Sequence, residues 1–394
     1  MSSTAPQRPS RTPAALWVLY TDTFTMAVGF YMLVPLLAIH LVDDVGIAVA
    51  VVGLLAGVRS FCQHGLMPLS GWIADRIDYR WAICAGVLVR AVGFALLGTA
   101  GSVTALAVAS VLTGLGGSLF HPASYAAYAA LSDGLDTVRV YSTRELLSNL
   151  GFVVGPVVGS AVAGLDFRWV SLTAAGLFLL AFVVTLVGLP GGLSGPPGTS
   201  PSMRTVLADR AFVRYCVLAG ALWLLVSQLY LVVPLQASSV LPSAIGVGLL
   251  YSGSAVLMVA TMLPLTRFVS ARAGRGTILA GGAVALAAGI CVMGAWGTLP
   301  GLLVGMGLFT VGQMITQPVM SSVVADFATP GATASYFGVQ GVAQAVGGVV
   351  GSVGGGLLYA LADSNGLVAL TPWIAFAVWG ALCAAFLSRR GVVP

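Results

Sequence analysis

Asp22, Arg59, Arg90, His121, Arg144 and Glu145 all stand inside long apolar runs. A charge in hydrocarbon costs a few kcal/mol on insertion scales, so such residues are kept for what they do. Asp22 lies in "LWVLYTDTFTMAVGF" (16–30), some 8 residues or roughly 12 Å from the start of its run. A carboxylate there can take up and release a proton, its affinity set by burial against any nearby cation. It also reads as half of a structural ion pair, or as a residue wetted near one surface. Glu145 is the only Glu in the chain and the second candidate proton site. Its neighbour Arg144 shares a helical face with Ser148, Gly151 and Gly155, whereas Glu145 is turned about 100° away, toward Asn149. The same two residues also read as a pair at a helix end. His121, just before Pro122, is a third titratable candidate.

An Arg keeps its charge and so needs an anion or a water path. Arg90, mid-way through its run, reads as structurally paired, with Asp22 one possible partner. Arg59 lies near Gln63 and His64 and is a candidate for an inner gate. Beyond residue 211 the apolar runs hold no clear internal charge. Their polar content is neutral: Gln228, Gln236, Gln313, Gln317, Gln340 and Gln344. Gln313 with Gln317, and Gln340 with Gln344, are spaced to share a helix face. We read a division of labour, with the first half titrating and the second offering hydrogen bonds to substrate. Tyr31, Phe120, Tyr125, Trp223 and Tyr230 are candidate substrate walls, though each alone reads more often as packing or lipid contact. The five cysteines lie in apolar runs without ligand spacing, so no metal is expected. With no nucleotide loop and no nucleophile–base pair, an enzyme is not expected and no cofactor is implied. The Gly-rich run 347–356 lies in an apolar helix and reads as a packing face.

The elements that must position these residues are membrane spans. Hydrophobic residues make up 58% of the chain and charged residues 7%, against about 25% charged in soluble domains. Mean hydropathy is +1.00. Runs of about 20 apolar residues recur at 14–41, 47–70, 81–100, 103–130, 140–164, 169–189, 212–236, 244–268, 276–297, 299–326, 334–361 and 370–388. The first run is too long for a signal peptide. Residues 190–211 are rich in Gly, Pro and Ser and read as a flexible linker. The chain then divides into an N-terminal half, 1–189, and a C-terminal half, 212–394.

All seventeen basic residues are Arg, and thirteen fall in segments on one side: Arg8, Arg11, Arg76, Arg80, Arg139, Arg204, Arg210, Arg214, Arg267, Arg272, Arg275, Arg389 and Arg390. The opposite loops hold Arg168 with Asp43, Asp44, Asp166 and Asp363. The positive-inside rule puts both termini in the cytoplasm. It also accounts for the net charge of +5 without nucleic acid.

The halves repeat each other. An offset of 196 residues lays Pro68 on Pro264, Leu69 on Leu265, Arg76 on Arg272, Pro122 on Pro318, Gly155 on Gly351 and Gly159 on Gly355. Ser124 falls on Met320, a mismatch. A 6+6 repeat is the layout of a transporter whose halves rock about a site between them.

"GWIADRIDYR" (71–80) resembles motif A of the major facilitator superfamily, a Gly-x-x-x-Asp-Arg loop ending in basic residues. Gly71 permits close helix contact. Asp75 is placed to cap a neighbouring helix or pair with an Arg, holding the outward-open state. Arg76 and Arg80 fix topology. Asp78 stands where the family usually has a second Gly, so the turn is expected to differ. "GFVVGPVVGS" (151–160) resembles motif C of drug:proton antiporters. Gly151, Gly155 and Gly159 share one face, and Pro156 removes a backbone donor and is expected to bend the helix. One family feature is missing: where helix 4 often carries an Arg four residues before Gly114, this chain has Ser110.

The chain is thus identified as a member of the twelve-span drug:proton antiporter group. "GVRSFCQHGL" (57–66), "VLVRAVGF" (88–95) and "GLGGSLFHP" (114–122) look most like its MdtH-type multidrug exporters. The resemblance implies an all-α membrane protein with twelve transmembrane helices in two six-helix halves. Helix 1 would line a central cavity and helix 3 would be peripheral. It implies a bacterial inner-membrane location, a monomer, and proton-driven export of amphipathic small molecules. The partners are then substrate, protons and lipid. A dedicated exporter of one endogenous metabolite, such as a metallophore or antibiotic, is the alternative, because the intramembrane arginines suit an anionic or zwitterionic substrate. A proton-coupled nutrient symporter is a further alternative, against which motif C argues.

Overall fold

A computed structural model describes residues 14–41, 45, 47, 49–163, 166–194, 203–241, 244–359, 361 and 366–389. Arg8, Arg11, Asp43, Asp44, Asp363 and Arg390 lie outside them, as does the stretch 195–202 of the expected linker. The described residues form helices, with no strand among them. The N-terminal half comprises α1 (Ala14–Ile39), α2 (Val49–Gly65), α3 (Met67–Ile77), α4 (Tyr79–Leu97), α5 (Val103–Leu131), α6 (Thr137–Ala163) and α7 (Phe167–Gly188). A short α8 (Met203–Ala208) precedes the C-terminal half: α9 (Arg210–Val226), α10 (Val232–Val240), α11 (Ala244–Ser270), α12 (Arg275–Trp296), α13 (Leu299–Phe327), α14 (Thr333–Tyr359) and α15 (Thr371–Leu387).

Among the described residues, nine helical segments are long and apolar enough to cross a membrane. Two of the expected continuous spans are interrupted. The second divides at Leu66 into α2 and α3, because Pro68 takes the first turn of a new helix, and that helix runs on to Ile77. The seventh passes through a tight 3-10 turn at Ser227–Tyr230 between α9 and α10. Helix starts follow local chemistry: Ser102, Asp166 and Asp209 each accept a backbone N–H of the helix they open.

The repeat visible in the sequence is a repeat of packing. Gly151, Gly155 and Gly159 of α6 press on α1, where a Cβ at Gly159 would stand 2.2 Å from the Met32 carbonyl oxygen. At the same offset, Gly347, Gly351 and Gly355 of α14 press on α9 and the 3-10 turn, and a Cβ at Gly347 would stand 2.0 Å from the Gly220 oxygen. Small residues let backbones meet where lipid supplies no hydrophobic drive. Pro156 and Pro122 sit inside continuous helices, as do Pro264 and Pro318.

The two halves meet at the end of the bundle that carries Arg76, Arg139, Arg267 and Arg272, here called the basic face. The main contacts across the seam are α3 with α14, α6 with α11 and α13, and α5 with α14, with smaller ones of α2 with α14 and α5 with α13. Among the described residues α1 packs on α5, α6 and α7, all in its own half. The visible ends of the expected linker are docked rather than loose. The Gly192 amide donates to Asp78, and the Tyr336 hydroxyl donates to Asp209 at 3.2 Å.

Candidate transport site and gate

At the basic face a buried carboxylate of one half is held by the other. Asp75 is buried at the end of α3, and its Oδ1 accepts the Ala334 amide at 2.9 Å. Its Oδ2 accepts the Ser335 amide at 2.8 Å and the Ser335 hydroxyl at 2.5 Å. The Tyr79 hydroxyl adds a fourth donor at 2.9 Å. Ala334 and Ser335 open α14, so a carboxylate of one half caps a helix of the other and meets the positive end of its dipole. Gly71 makes this approach possible, since a Cβ there would stand 2.2 Å from the Ala334 oxygen.

The turn after Asp75 shows why the family favours glycine there. Asp78 has φ +86°, rare for a residue with a Cβ. Its side chain compensates by accepting the Arg80 amide at 3.1 Å and the Gly192 amide. Arg76 and Arg80 were expected to serve gating or ion pairs, yet neither makes a salt bridge among the described residues. Arg76 is exposed, its guanidinium 3.8 Å from the Trp72 ring centroid. Arg80 donates to the Leu186 carbonyl, tying α4 to α7 within one half.

A second, aromatic layer lies across the seam. Tyr125 of α5 stacks on Phe337 of α14 with centroids 5.0 Å apart, and Tyr141 of α6 packs on both rings. Arg144 lies over Tyr125 at 3.9 Å and forms an ion pair with Glu145. The Tyr125 hydroxyl donates to Glu145 at 3.4 Å. Arg144 and Glu145 therefore converge on one ring despite their angular separation, because the long Arg side chain reaches round the helix. Next to Glu145, Leu146 packs on Met258, Met262 and Met314 of the C-terminal half.

Asp22 is fully buried, but its expected setting needs correction. It faces the seam between α1 and α7, inside the N-terminal half, where its Oδ2 accepts the Thr185 hydroxyl at 2.5 Å. Its Oδ1 has no hydrogen-bond partner. Arg90 is not its partner either. The Arg90 guanidinium rests among Phe30, Phe94 and Phe178, with centroids at 4.8, 5.9 and 5.7 Å, and its Nε is unpartnered. An aromatic cage takes the place of a carboxylate. Arg59 is half-buried, 5.3 Å from the Phe30 centroid, and donates to Gln63 at 3.4 Å. His121 is half-buried, edge-on to Phe120.

The expected substrate contacts divide in two. Tyr31 lies within electrostatic reach of Arg59, Arg90, Glu145 and, across the halves, Tyr230. Tyr230 is exposed, and Gln313, Gln317, Gln344 and Trp223 are half-buried. Trp223 borders Gly348 of α14. Three others are structural. Phe120 is buried against the close crossing of α4 and α5 at Gly86. Tyr125 belongs to the gate. Gln228 is fully buried, its Nε2 donating to the Leu224 oxygen at 2.7 Å and the Gly351 oxygen at 2.9 Å. The 3-10 turn leaves carbonyls free there, and Gln228 stitches them to α14. Gln340 is buried with its Nε2 unpartnered.

Ser335, Phe337, Tyr79, Tyr141 and Thr185 went unnoticed in the sequence. Thr185 carried a signal, as a lone hydroxyl in "FVVTLVG" (182–188). Ser335 carried one too, in the first turn of a helix after "TPGA" (329–332).

These features define a class: two pseudo-repeated helical halves around a middle, joined at one end by contacts between them. A model of the Major Facilitator Superfamily matches residues 21–352, and the chain belongs to that family of membrane transporters. It is 32% identical over 366 residues to the multidrug resistance protein MdtH of Aeromonas hydrophila, covering 92% of this chain and 91% of that one. The MdtH of Sodalis glossinidius is 31% identical over 376 residues, covering 95% and 93%. In fold it is similar to a human organic anion transporter, with a TM-score of 0.79 at 18% identity over 95% of this chain and 99% of that one. The Escherichia coli fucose:proton symporter gives 0.74 at 18% identity over 95% and 98%. The chain is thus a multi-pass membrane transporter and not an enzyme.

Proposed function

We propose that this protein exports amphipathic small molecules from the cytoplasm in exchange for protons, by alternating access. The observation that carries the proposal is the Asp75 cap on α14. It closes the basic face with hydrogen bonds that two rigid halves can make and break as a unit. With that face in the cytoplasm, where the Arg distribution puts it, the closed state faces outward. The halves are 1–189 and 212–394, joined through 190–211, with both termini inside and the monomer as the working unit.

Glu145 is the coupling carboxylate in this scheme. It sits under the ring stack that joins the halves and is held by Arg144 and Tyr125. A proton on Glu145 removes its ion pair with Arg144 and loosens the Tyr125–Phe337 layer, so proton binding and opening are linked. Asp22 lies away from the seam and serves as a second proton site, reporting to α7 through Thr185. Tyr31, Tyr230, Gln313 and Gln317 line the substrate path. The buried methionines beside Leu146 give the seam a pliable apolar packing. Export of multiple drugs is supported by the name of the MdtH relatives.

A dedicated exporter of one anionic or zwitterionic metabolite is the second reading. It is favoured by Arg59, half-buried, whose one side-chain hydrogen bond among the described residues is a 3.4 Å contact to Gln63. Sealed inverted vesicles distinguish the two. With an acid-inside gradient, lipophilic cations, zwitterions and anions are added one at a time. Collapse of the gradient by several unrelated cations supports the broad exporter. Collapse by a single anionic class, or by none, contradicts it.

A further inference from the structure

The repeat that places the Asp75 latch also shows where a second latch is missing. The offset of 196 residues carries Asp75 to Ala271, and it carries the start of α14 at Thr333 to the start of α6 at Thr137. In the first pair a carboxylate from the other half caps the helix. In the second pair Ala271 has only a methyl group. The α6 amides are capped from within their own connection, Asp136 Oδ1 accepting Val138 and Arg139 at 3.1 and 3.3 Å. The space that a carboxylate at 271 would enter is an open cavity of about 610 Å³, lined by Asp136, Arg139, Arg267, Ser270, Ala271 and Arg275.

The cavity lining carries three arginines, Arg139, Arg267 and Arg275, against one carboxylate, Asp136. Arg275 pairs with Asp326. Among the described residues neither Arg139 nor Arg267 makes a salt bridge, and both are exposed to the cavity mouth. Arg139 belongs to the N-terminal half and Arg267 to the C-terminal half, so an anion held by both spans the seam.

We propose that this cavity binds a phosphate-bearing anion, which completes the second latch from outside the chain. Guanidinium groups bind phosphate through paired, charge-assisted hydrogen bonds. Basic pockets at the cytoplasmic membrane surface take anionic lipid headgroups. A phospholipid headgroup of the inner leaflet and free phosphate share the required chemistry. The site is separate from the substrate path and does not depend on what is exported.

The test uses the purified full-length protein in a neutral detergent. Thermal unfolding is followed on addition of inorganic phosphate, short-chain phosphatidylglycerol or short-chain phosphatidylcholine. The Arg139→Gln/Arg267→Gln double variant and an Arg168→Gln control run alongside. The proposal expects a saturable rise in Tm with phosphatidylglycerol, retained in the control and weakened at least about tenfold in the double variant. A matching rise with inorganic phosphate assigns the site to the free anion, and a rise with phosphatidylglycerol alone assigns it to lipid. No saturable rise with either, or an equal rise in the double variant, overturns the proposal. If the double variant is not monodisperse, Arg267→Gln alone takes its place, since that side chain is exposed and bears no packing load.

Discussion

Asp75 and Ser335, 260 residues apart, join the two halves of this transporter through both the amide and the hydroxyl of Ser335, at 2.8 and 2.5 Å from one carboxylate oxygen. The contact costs a buried charge, offset by four donors and a helix terminus. The Tyr125–Phe337 stack joins the same two halves.

Asp75→Ala is expected to shift the halves toward the state open at the basic face. Hydrogen bonds to a charged group contribute about 1.5–3 kcal/mol each, and partial resolvation leaves a shift of roughly 2–4 kcal/mol. Spin labels on exposed positions of α3 and the α11–α12 connection read it as a longer distance. An unchanged distance distribution contradicts the latch. Acidity adds a sign. Burial holds the Asp75 carboxyl above its ordinary value, outweighing the Ser335, Ala334 and Tyr79 donors. The closed state therefore binds a proton more readily than a water-exposed Asp75 does. Mild acid favours closure through this residue, and the gain is lost as pH rises through the closed-state pKa. Asp75→Asn flattens that dependence.

Gly71→Ala is expected to weaken closure without unfolding either half. The new Cβ meets the Ala334 backbone, which cannot rotate away, at a cost of about 1–3 kcal/mol. Gly253→Ala, with nothing within 4 Å, is the control. The same label distances apply, and equal behaviour of the two variants contradicts the packing argument.

Asp78→Gly is expected to be nearly neutral. Relief of a positive-φ conformation returns about 1–3 kcal/mol, while loss of the Arg80 cap removes about 1 kcal/mol and the Gly192 contact removes more. Asp78→Val keeps the strain and loses the cap, so its Tm falls further. The reverse order in a thermal melt contradicts this balance.

Asp22 and Arg90 are expected to behave independently. A buried ion pair loses about 3–5 kcal/mol when one partner is removed. Here Arg90 sits in a phenylalanine cage and Asp22 on Thr185, so the Asp22→Asn and Arg90→Met effects on stability add within about 0.5 kcal/mol. A coupling well above that value restores the pair.

The sequence carried the architecture because it rests on repeating physical needs: apolar length, Arg asymmetry, and glycines where helices cross. Gly155 and Gly351 fall on the same offset because each meets an equivalent partner helix. Asp75 was legible as a cap, but its partner was not, since Ser335 lies in the other half and nothing local marks it. The misreadings concern direction. Asp22 was placed in the cavity because helix 1 lines it, yet a helix has several faces and this one turns toward α7. Arg90 called for an anion or a water path on electrostatic grounds, and a cage of ring faces surrounds it instead. Gln228 looked available to substrate because the tight turn that consumes its amide leaves no mark in composition.

The most direct test of the account measures proton movement by purified protein in sealed liposomes, with a transported lipophilic cation added under an acid-inside gradient. Wild type, Glu145→Gln and Asp22→Asn are compared for substrate-driven proton release and for substrate exchange without a gradient. The account predicts that Glu145→Gln still exchanges substrate but releases no protons, whereas Asp22→Asn retains at least part of the proton signal. Full proton release by Glu145→Gln contradicts the central claim and moves coupling away from the Arg144–Tyr125 gate.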